Sequence, residues 1–182
     1  MSERSESQLS MAQVRERNSA DNLLRTTQQH HVHLSAMADM KANIIITVSS
    51  IVLTLALGRI GDPGLRLPVL LLVGFTLAAL LLAILAVLPK YRPLRLHDDR
   101  LPDNFNLLFF GHFAELSRQR FVAEMTRTLE VEGGCYAAWS NDIYSLGSYL
   151  AHHKYRYLRL SYLFFLGGFV FATVAQAWRM LV

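Results

Sequence analysis

Three uncharged apolar runs dominate the hydrophobic pattern of the chain, at residues 42–58, 67–88 and 160–178. An α-helix rises about 1.5 Å per residue, so a run of roughly 17–22 residues matches a hydrocarbon core of about 30 Å. The pattern therefore predicts three transmembrane helices. A polar stretch precedes the first run where a cleavable signal peptide would have only a short basic region, so we expect that run to be retained as an anchor.

The segments outside the apolar runs predict further helices. Residues 9–41 and 112–132 lack Gly and Pro, and Gly133–Gly134 interrupts the second of these stretches. Residues 136–159 carry apolar side chains at multiples of three and four positions, which predicts an amphipathic helix leading into the third run. A soluble region of this size is marginally stable alone, so we expect neighbouring subunits to complete it in a homo-oligomer.

The distribution of basic residues predicts the orientation in the membrane. Of the 18 Lys and Arg residues, five precede residue 42, ten lie at 89–159, two lie between the first two runs and one follows the third. The positive-inside rule then places the amino terminus and residues 89–159 in the cytoplasm. Attraction to anionic lipid headgroups explains this basic excess as well as nucleic acid would. The sequence lacks the dense Lys/Arg run that would favour a nucleic-acid polymer.

The sequence thus predicts an all-α integral membrane protein with a small cytoplasmic helical domain. The predicted order is a cytoplasmic amino-terminal helix at 1–41, transmembrane helix 1 at 42–58, a short external loop at 59–66, transmembrane helix 2 at 67–88, a cytoplasmic helical region at 89–159, transmembrane helix 3 at 160–178 and an external carboxyl terminus at 179–182.

A polar stripe runs along the first apolar run. Its members follow one another at steps of four, four, three and four, and they are Asp39, Asn43, Thr47, Ser50 and Thr54. This spacing predicts a single helical face. Facing lipid would be unfavourable, so the stripe is expected either to contact another helix or to line a water-filled path. Lys41 offers a nearby counter-charge for Asp39 at the membrane edge.

The pattern of reactive residues does not favour an enzyme or a metal site. Among the clustered histidines His30, His31 and His33, only His30 and His33 share a helical face, and no acidic third ligand accompanies them. A phosphate-binding glycine loop, a nucleophile turn and a zincin motif are all missing from the sequence. We therefore expect no catalytic residues, no metal and no resident cofactor.

Several short segments, in order, resemble the Pycsar transmembrane effectors. They are Ala38-Asp39-Met40-Lys41-Ala42, Asn106-Leu107-Leu108-Phe109-Phe110-Gly111, Asp142-Ile143-Tyr144-Ser145-Leu146-Gly147 and Lys154-Tyr155. The resemblance extends over residues 22–176 and includes the positions of these segments relative to the three apolar runs.

This resemblance implies an antiphage role in the bacterial inner membrane. A partner pyrimidine nucleotide cyclase would make cyclic CMP (cCMP) or cyclic UMP (cUMP) on infection. The effector would respond by impairing the membrane, which ends in abortive infection. A non-conducting anchor or adaptor of a signalling complex is the alternative.

A cyclic monophosphate carries one negative charge and a flat base, so a sensor would use Arg near the phosphate and an aromatic ring beside the base. Surface cations and core aromatics explain the same residue types without a ligand. The predicted cytoplasmic region supplies as candidates Arg118, Arg120, Arg127, Tyr136, Trp139, Tyr144 and Arg156.

Overall fold

The computed structural model describes residues 17–88, 101–102 and 105–181, and all regular secondary structure in these ranges is helical. A π-helical turn, Leu150–Lys154, separates the last two helices. The helices are α1 (Asn18–Leu57), α2 (Arg66–Val87), α3 (Phe110–Phe113), α4 (Arg118–Glu130), α5 (Gly134–Tyr149) and α6 (Tyr155–Leu181). The predicted all-α class is therefore confirmed for the described residues.

Three helical stretches are long and apolar enough to cross a membrane, as the sequence predicts. The predicted spans fall on α1, α2 and α6. α1 and α6 extend beyond the apolar runs, because polar residues without Gly or Pro continue a helix past the point where it leaves lipid. The predicted orientation in the membrane stays a prediction.

The described residues divide into two compact units. The first comprises residues 17–31, 101–102 and 105–147. In this unit the start of α1 packs on α5 through Tyr136, whose hydroxyl donates to Asp21 Oδ1 at 2.5 Å and accepts from the backbone N–H of Arg17 at 3.0 Å. Most of residues 89–104, at the start of the predicted cytoplasmic region, and the residues before position 17 lie outside the described residues.

One helix predicted for the first unit is interrupted in the structure. The stretch 112–132 contains the end of α3, a break and then α4. Ser117 has an extended backbone conformation, and its hydroxyl accepts from the backbone N–H of Arg120 at 3.2 Å, so it caps a new helix. The predicted break at Gly133–Gly134 is confirmed, and Gly133 adopts a positive φ of 72°.

The second unit comprises residues 32–88 and 148–181 and contains the three predicted spans. α2 and α6 are antiparallel, since Ser161 Oγ donates to the carbonyl of Ala79 at 2.8 Å while Gly168 lies against Phe75, earlier on α2. An eight-residue turn returns the chain from α1 to α2. Close packing at the opposite end involves small side chains and one Leu, namely Ala38, Ala42, Ala86 and Leu158.

Candidate functional site

The predicted polar stripe of α1 lies on one exposed side of the second unit. We call Asp39, Asn43, Thr47, Ser50 and Thr54 the polar face of α1. Asp39 is half-buried and the other four are exposed. The opposite side of α1 is buried against the unit through Ala38, Ala42, Ile45, Ser49 and Ala56. The chain therefore packs the opposite side of α1 and leaves the polar face from Asn43 to Thr54 uncovered by any described residue.

The hydroxyls of the polar face differ in their hydrogen bonding. Ser50 Oγ donates to the carbonyl of Ile46 at 2.8 Å, and Thr54 Oγ1 donates to the carbonyl of Ser50 at 2.9 Å. Such bonds within a helix satisfy a hydroxyl without a partner helix. The Asn43 amide and the Thr47 hydroxyl make no hydrogen bond to the described residues. Both line an open groove of about 650 Å³ that extends along α1 from Ala36 to Val48.

An ion pair between a buried lysine and a half-buried aspartate connects α1 to the turn that precedes α6. Lys154 Nζ lies 2.7 Å from Asp39 Oδ1 and 2.8 Å from Asp39 Oδ2, and it also donates to Ser35 Oγ at 2.8 Å. The Lys154 side chain is 8% exposed, whereas that of Asp39 is 43% exposed. Asp39 is thus paired with Lys154, and the expected counter-charge, Lys41, is exposed. We refer to this contact as the Asp39–Lys154 pair.

The surroundings of the Asp39–Lys154 pair are polar and shaped by an irregular turn. Lys154 ends the π-helical turn, a geometry that often occurs at functional sites. Burial and the nearby negative charge of Asp39 raise the pKa of Tyr149. The hydroxyl of Tyr155 donates to the carbonyl of Leu34 at 3.1 Å, which adds a bond between α1 and the start of α6.

A second polar cluster, the Asp142 cluster, lies within the first unit. Asp142 Oδ1 accepts from Asn106 Nδ2 at 2.9 Å, and Asp142 Oδ2 accepts from Gln28 Nε2 at 2.7 Å. The indole of Trp139 donates to Gln28 Oε1 at 2.9 Å. Asn106 is 2% exposed and also donates to Ser145 Oγ at 3.0 Å. One carboxylate therefore joins the α1 segment, the segment before α3 and helix α5.

His112 supports this cluster from α3. Its Nδ1 accepts from the backbone N–H of Asn106 at 2.9 Å, and its ring lies against Phe105 and Phe109. Burial lowers the pKa of His112. The neutral imidazole is the form that can accept this hydrogen bond.

The structure places the three aromatic ligand candidates differently along α5. Tyr136 is 2% exposed, and its hydroxyl is used in the contact with α1. Trp139 is half-buried and its indole N–H is bonded within the Asp142 cluster. Tyr144 is 75% exposed, so its ring is available to stack on a base.

The arginine candidates lie on two elements. Arg118, Arg120 and Arg127 belong to α4, where Arg118 and Arg127 are exposed and Arg120 is half-buried. Arg156 is exposed near the start of α6, in the second unit. A nucleotide-binding role for these arginines and for the aromatic candidates stays a prediction.

The sequence did not reveal which polar residues would meet. Lys154, Asn106 and Asp142 belong to the segments that resemble the effector family, but 115 residues separate Lys154 from Asp39 and 36 separate Asn106 from Asp142. Gln28 and Ser35 lie in a polar helical stretch without a distinguishing pattern. Their roles depend on tertiary packing, which residue spacing along one helix does not contain.

Comparison with known proteins places the chain in a family. The family model described as Pycsar effector protein domain matches residues 22–180, a range that contains the polar face, the Asp39–Lys154 pair and the Asp142 cluster. No curated protein and no solved structure shows significant similarity to the chain. Because the family model covers most of the sequence, the chain belongs to the Pycsar effector family, a membership that implies a role in antiphage defence with a cyclase as functional partner.

Proposed function

We propose that this chain is an antiphage effector that responds to cCMP or cUMP by impairing the integrity of the bacterial inner membrane. A partner pyrimidine nucleotide cyclase supplies the nucleotide on infection, and loss of membrane integrity causes abortive infection. The effector itself catalyses no reaction. Its amino terminus and residues 89–159 face the cytoplasm, where the cyclic nucleotide is made.

The observation that carries this proposal is the exposed polar face of α1. A helix that served only as an anchor would present apolar side chains to lipid, because polar groups in hydrocarbon are costly. α1 instead turns Asn43 and Thr47 away from its own unit. Side chains of this kind either contact another membrane helix or line a path for water, and a path for water would dissipate the membrane potential.

The response to a ligand requires two arrangements of the protein. A nucleotide shifts their populations only by its differential affinity for the two, however tightly it binds. We propose that arginine and aromatic side chains of the soluble helices contact its phosphate and base, with the exposed Tyr144 and Arg127 as the first candidates to test.

The proposal is tested by measuring membrane potential in bacteria. The chain is expressed with an inducible cyclase that makes cCMP, cUMP or, as a control, cyclic AMP. We expect rapid depolarisation with one pyrimidine nucleotide only. We expect Thr47→Leu/Ser50→Leu to abolish it, and the matched pair Val48→Leu/Ile51→Leu, at the same depth but already apolar, to retain it.

Two results would contradict this scheme in different ways. If the Thr47→Leu/Ser50→Leu protein reaches the membrane in normal amounts and still depolarises cells, the polar face is not used for membrane disruption. If no nucleotide depolarises cells in which the protein is correctly inserted in the membrane, the proposed response to a cyclic nucleotide is refuted. The hydroxyls of Ser50 and Thr54 are hydrogen-bonded to carbonyls of their own helix and need no water or partner. That result would therefore favour the alternative of a non-conducting anchor or adaptor.

A further inference from the structure

α1 carries two rows of residues with the spacing of a seven-residue repeat. One row is buried in the second unit and includes Ala38, Ala42, Ile45, Ser49 and Ala56. The other row, which we call the exposed seam, advances by steps of four and three through Ala36, Met40, Asn43, Thr47, Ser50 and Thr54. All six of these residues are exposed in the structure.

The two rows lie on opposite sides of the helix. Five of the six exposed-seam positions precede a position of the buried row by two residues, as in Ala36 and Ala38 or Asn43 and Ile45. Two residues correspond to about 200° around an α-helix. α1 is therefore built to pack on two sides, and the described chain occupies one of them.

The chemistry of the exposed seam identifies a suitable partner. Lipid chains provide no hydrogen-bond partner for the Asn43 amide or the Thr47 hydroxyl. A second copy of the chain, inserted with the same orientation, presents its own Asn43 at the same depth in the membrane. Each amide then donates to and accepts from the other, which is the self-complementarity that a two-fold interface requires.

We propose that two copies of this protein associate in the membrane through parallel packing of their α1 helices along the exposed seam. Steps of three and four residues are the pattern of a left-handed helix pair, and a single asparagine in such a seam fixes its register. The small Ala36 side chain, with Thr47 and Ser50, permits close approach of the backbones. The seam shares four residues with the polar face on which the proposed function rests. Association is measured without nucleotide and the membrane potential with it, so failure of one proposal is distinguishable from failure of the other.

Cysteine cross-linking in intact membranes tests the seam. The native Cys135 is first replaced by Ser, and single cysteines are then introduced by Thr47→Cys and Thr54→Cys on the seam. Val48→Cys and Leu55→Cys are the matched controls, because each is exposed and one residue away at the same depth. With a copper–phenanthroline oxidant and without nucleotide, we expect several-fold more disulfide dimer at the two seam positions than at the controls.

Each alternative occupant of the seam gives a different result. Equal cross-linking at all four positions indicates random collision and overturns the proposal. Labelling of the seam cysteines by a water-soluble thiol reagent, without dimer formation, indicates a water-lined face and also overturns it. If the seam cysteines are neither cross-linked nor labelled, the seam faces lipid, and this result also overturns the proposal.

The role of the asparagine is tested by a second measurement. We expect Asn43→Leu to weaken association by about tenfold, as loss of an amide pair between membrane helices predicts, while Asn43→Gln retains most of it. Dimerisation is measured by energy transfer between labelled copies in liposomes as a function of protein-to-lipid ratio. Unchanged association in Asn43→Leu would overturn pairing through this amide, even if the cysteines cross-link.

Discussion

The Asp39–Lys154 pair is expected to stabilise the second unit in an asymmetric way. Asp39→Ala leaves the Lys154 ammonium buried, with Ser35 as its one remaining polar partner among the described residues. Lys154→Met keeps the apolar stem of the side chain in place and leaves a carboxylate that is 43% exposed and can be hydrated. The two substitutions remove the same contact, so any difference between them measures the burial of the group left behind.

The magnitudes follow from these exposures. Removing one partner of a fully buried pair costs about 3–5 kcal/mol, and Ser35 together with the partial opening at Asp39 reduces this to about 2–3 kcal/mol for Asp39→Ala. A pair with one solvated member is worth about 1 kcal/mol, which is the cost we expect for Lys154→Met. The double variant should cost little more than Lys154→Met alone, giving a coupling free energy of about 2 kcal/mol.

The free energy of unfolding is measured for the four proteins by reversible denaturant titration in mixed micelles. Ile51→Leu, at an exposed position of the same helix outside both the pair and the exposed seam, serves as a control for general effects on α1. If Lys154→Met costs as much as Asp39→Ala, the burial argument is refuted. Additive costs in the double variant would show that the two side chains do not interact in the membrane-inserted protein.

The remaining predictions concern packing and the first unit. A Cβ at Gly168 would lie 2.9 Å from Phe75 Cβ, so Gly168→Ala should destabilise the α2–α6 packing by about 1–3 kcal/mol, whereas Gly167→Ala, with its nearest contact at 3.4 Å, should be tolerated in the same titration. Asp142→Ala should cost about 1–3 kcal/mol by removing the acceptor of two side-chain amides, and hydrogen exchange should show the lost protection before α3. Because burial lowers the pKa of His112, the unfolded state binds the proton more readily, and stability should fall as the pH drops below the ordinary histidine value of 6.5. His112→Phe should flatten that decline, which a stability measurement between pH 7.5 and about 5.5 checks.

The features that the sequence could predict are those that depend on one helix at a time. An uncharged apolar run of about 20 residues has the length of a helix that spans the hydrocarbon core of a bilayer, so the three spans could be predicted. Steps of three and four residues place Asn43 and Thr47 on one face whatever surrounds the helix. Gly133 marks a break because it accepts a positive φ that side chains rarely adopt.

The features that the sequence could not predict depend on contacts between helices. Lys41 is the nearest basic residue to Asp39 along the chain, yet Lys154 is its partner, because the fold buries the lysine beside α1. The break before α4 depends on Ser117, and serine occurs in turns as well as at helix starts, so its residue type alone does not mark the break. Contacts and burial in the assembled unit determine which residues pair and where a helix ends, and the spacing of residues along one helix does not contain this information.

The position of α1 affects packing on both of its sides, the buried row and the exposed seam. On the buried row, Ala38 and Ala42 are small enough for α1 to approach Ala86 closely, so enlargement of either would move the helix as a whole. On the other side, a displacement of that kind would move Asn43 out of register with its counterpart in a second copy. The Asp39–Lys154 pair lies one helical turn before Asn43 and holds α1 at that position. The pair thus holds the turn of α1 at which the polar part of the seam begins. A substitution that breaks the pair should therefore also alter association between copies, although neither Asp39 nor Lys154 belongs to the seam.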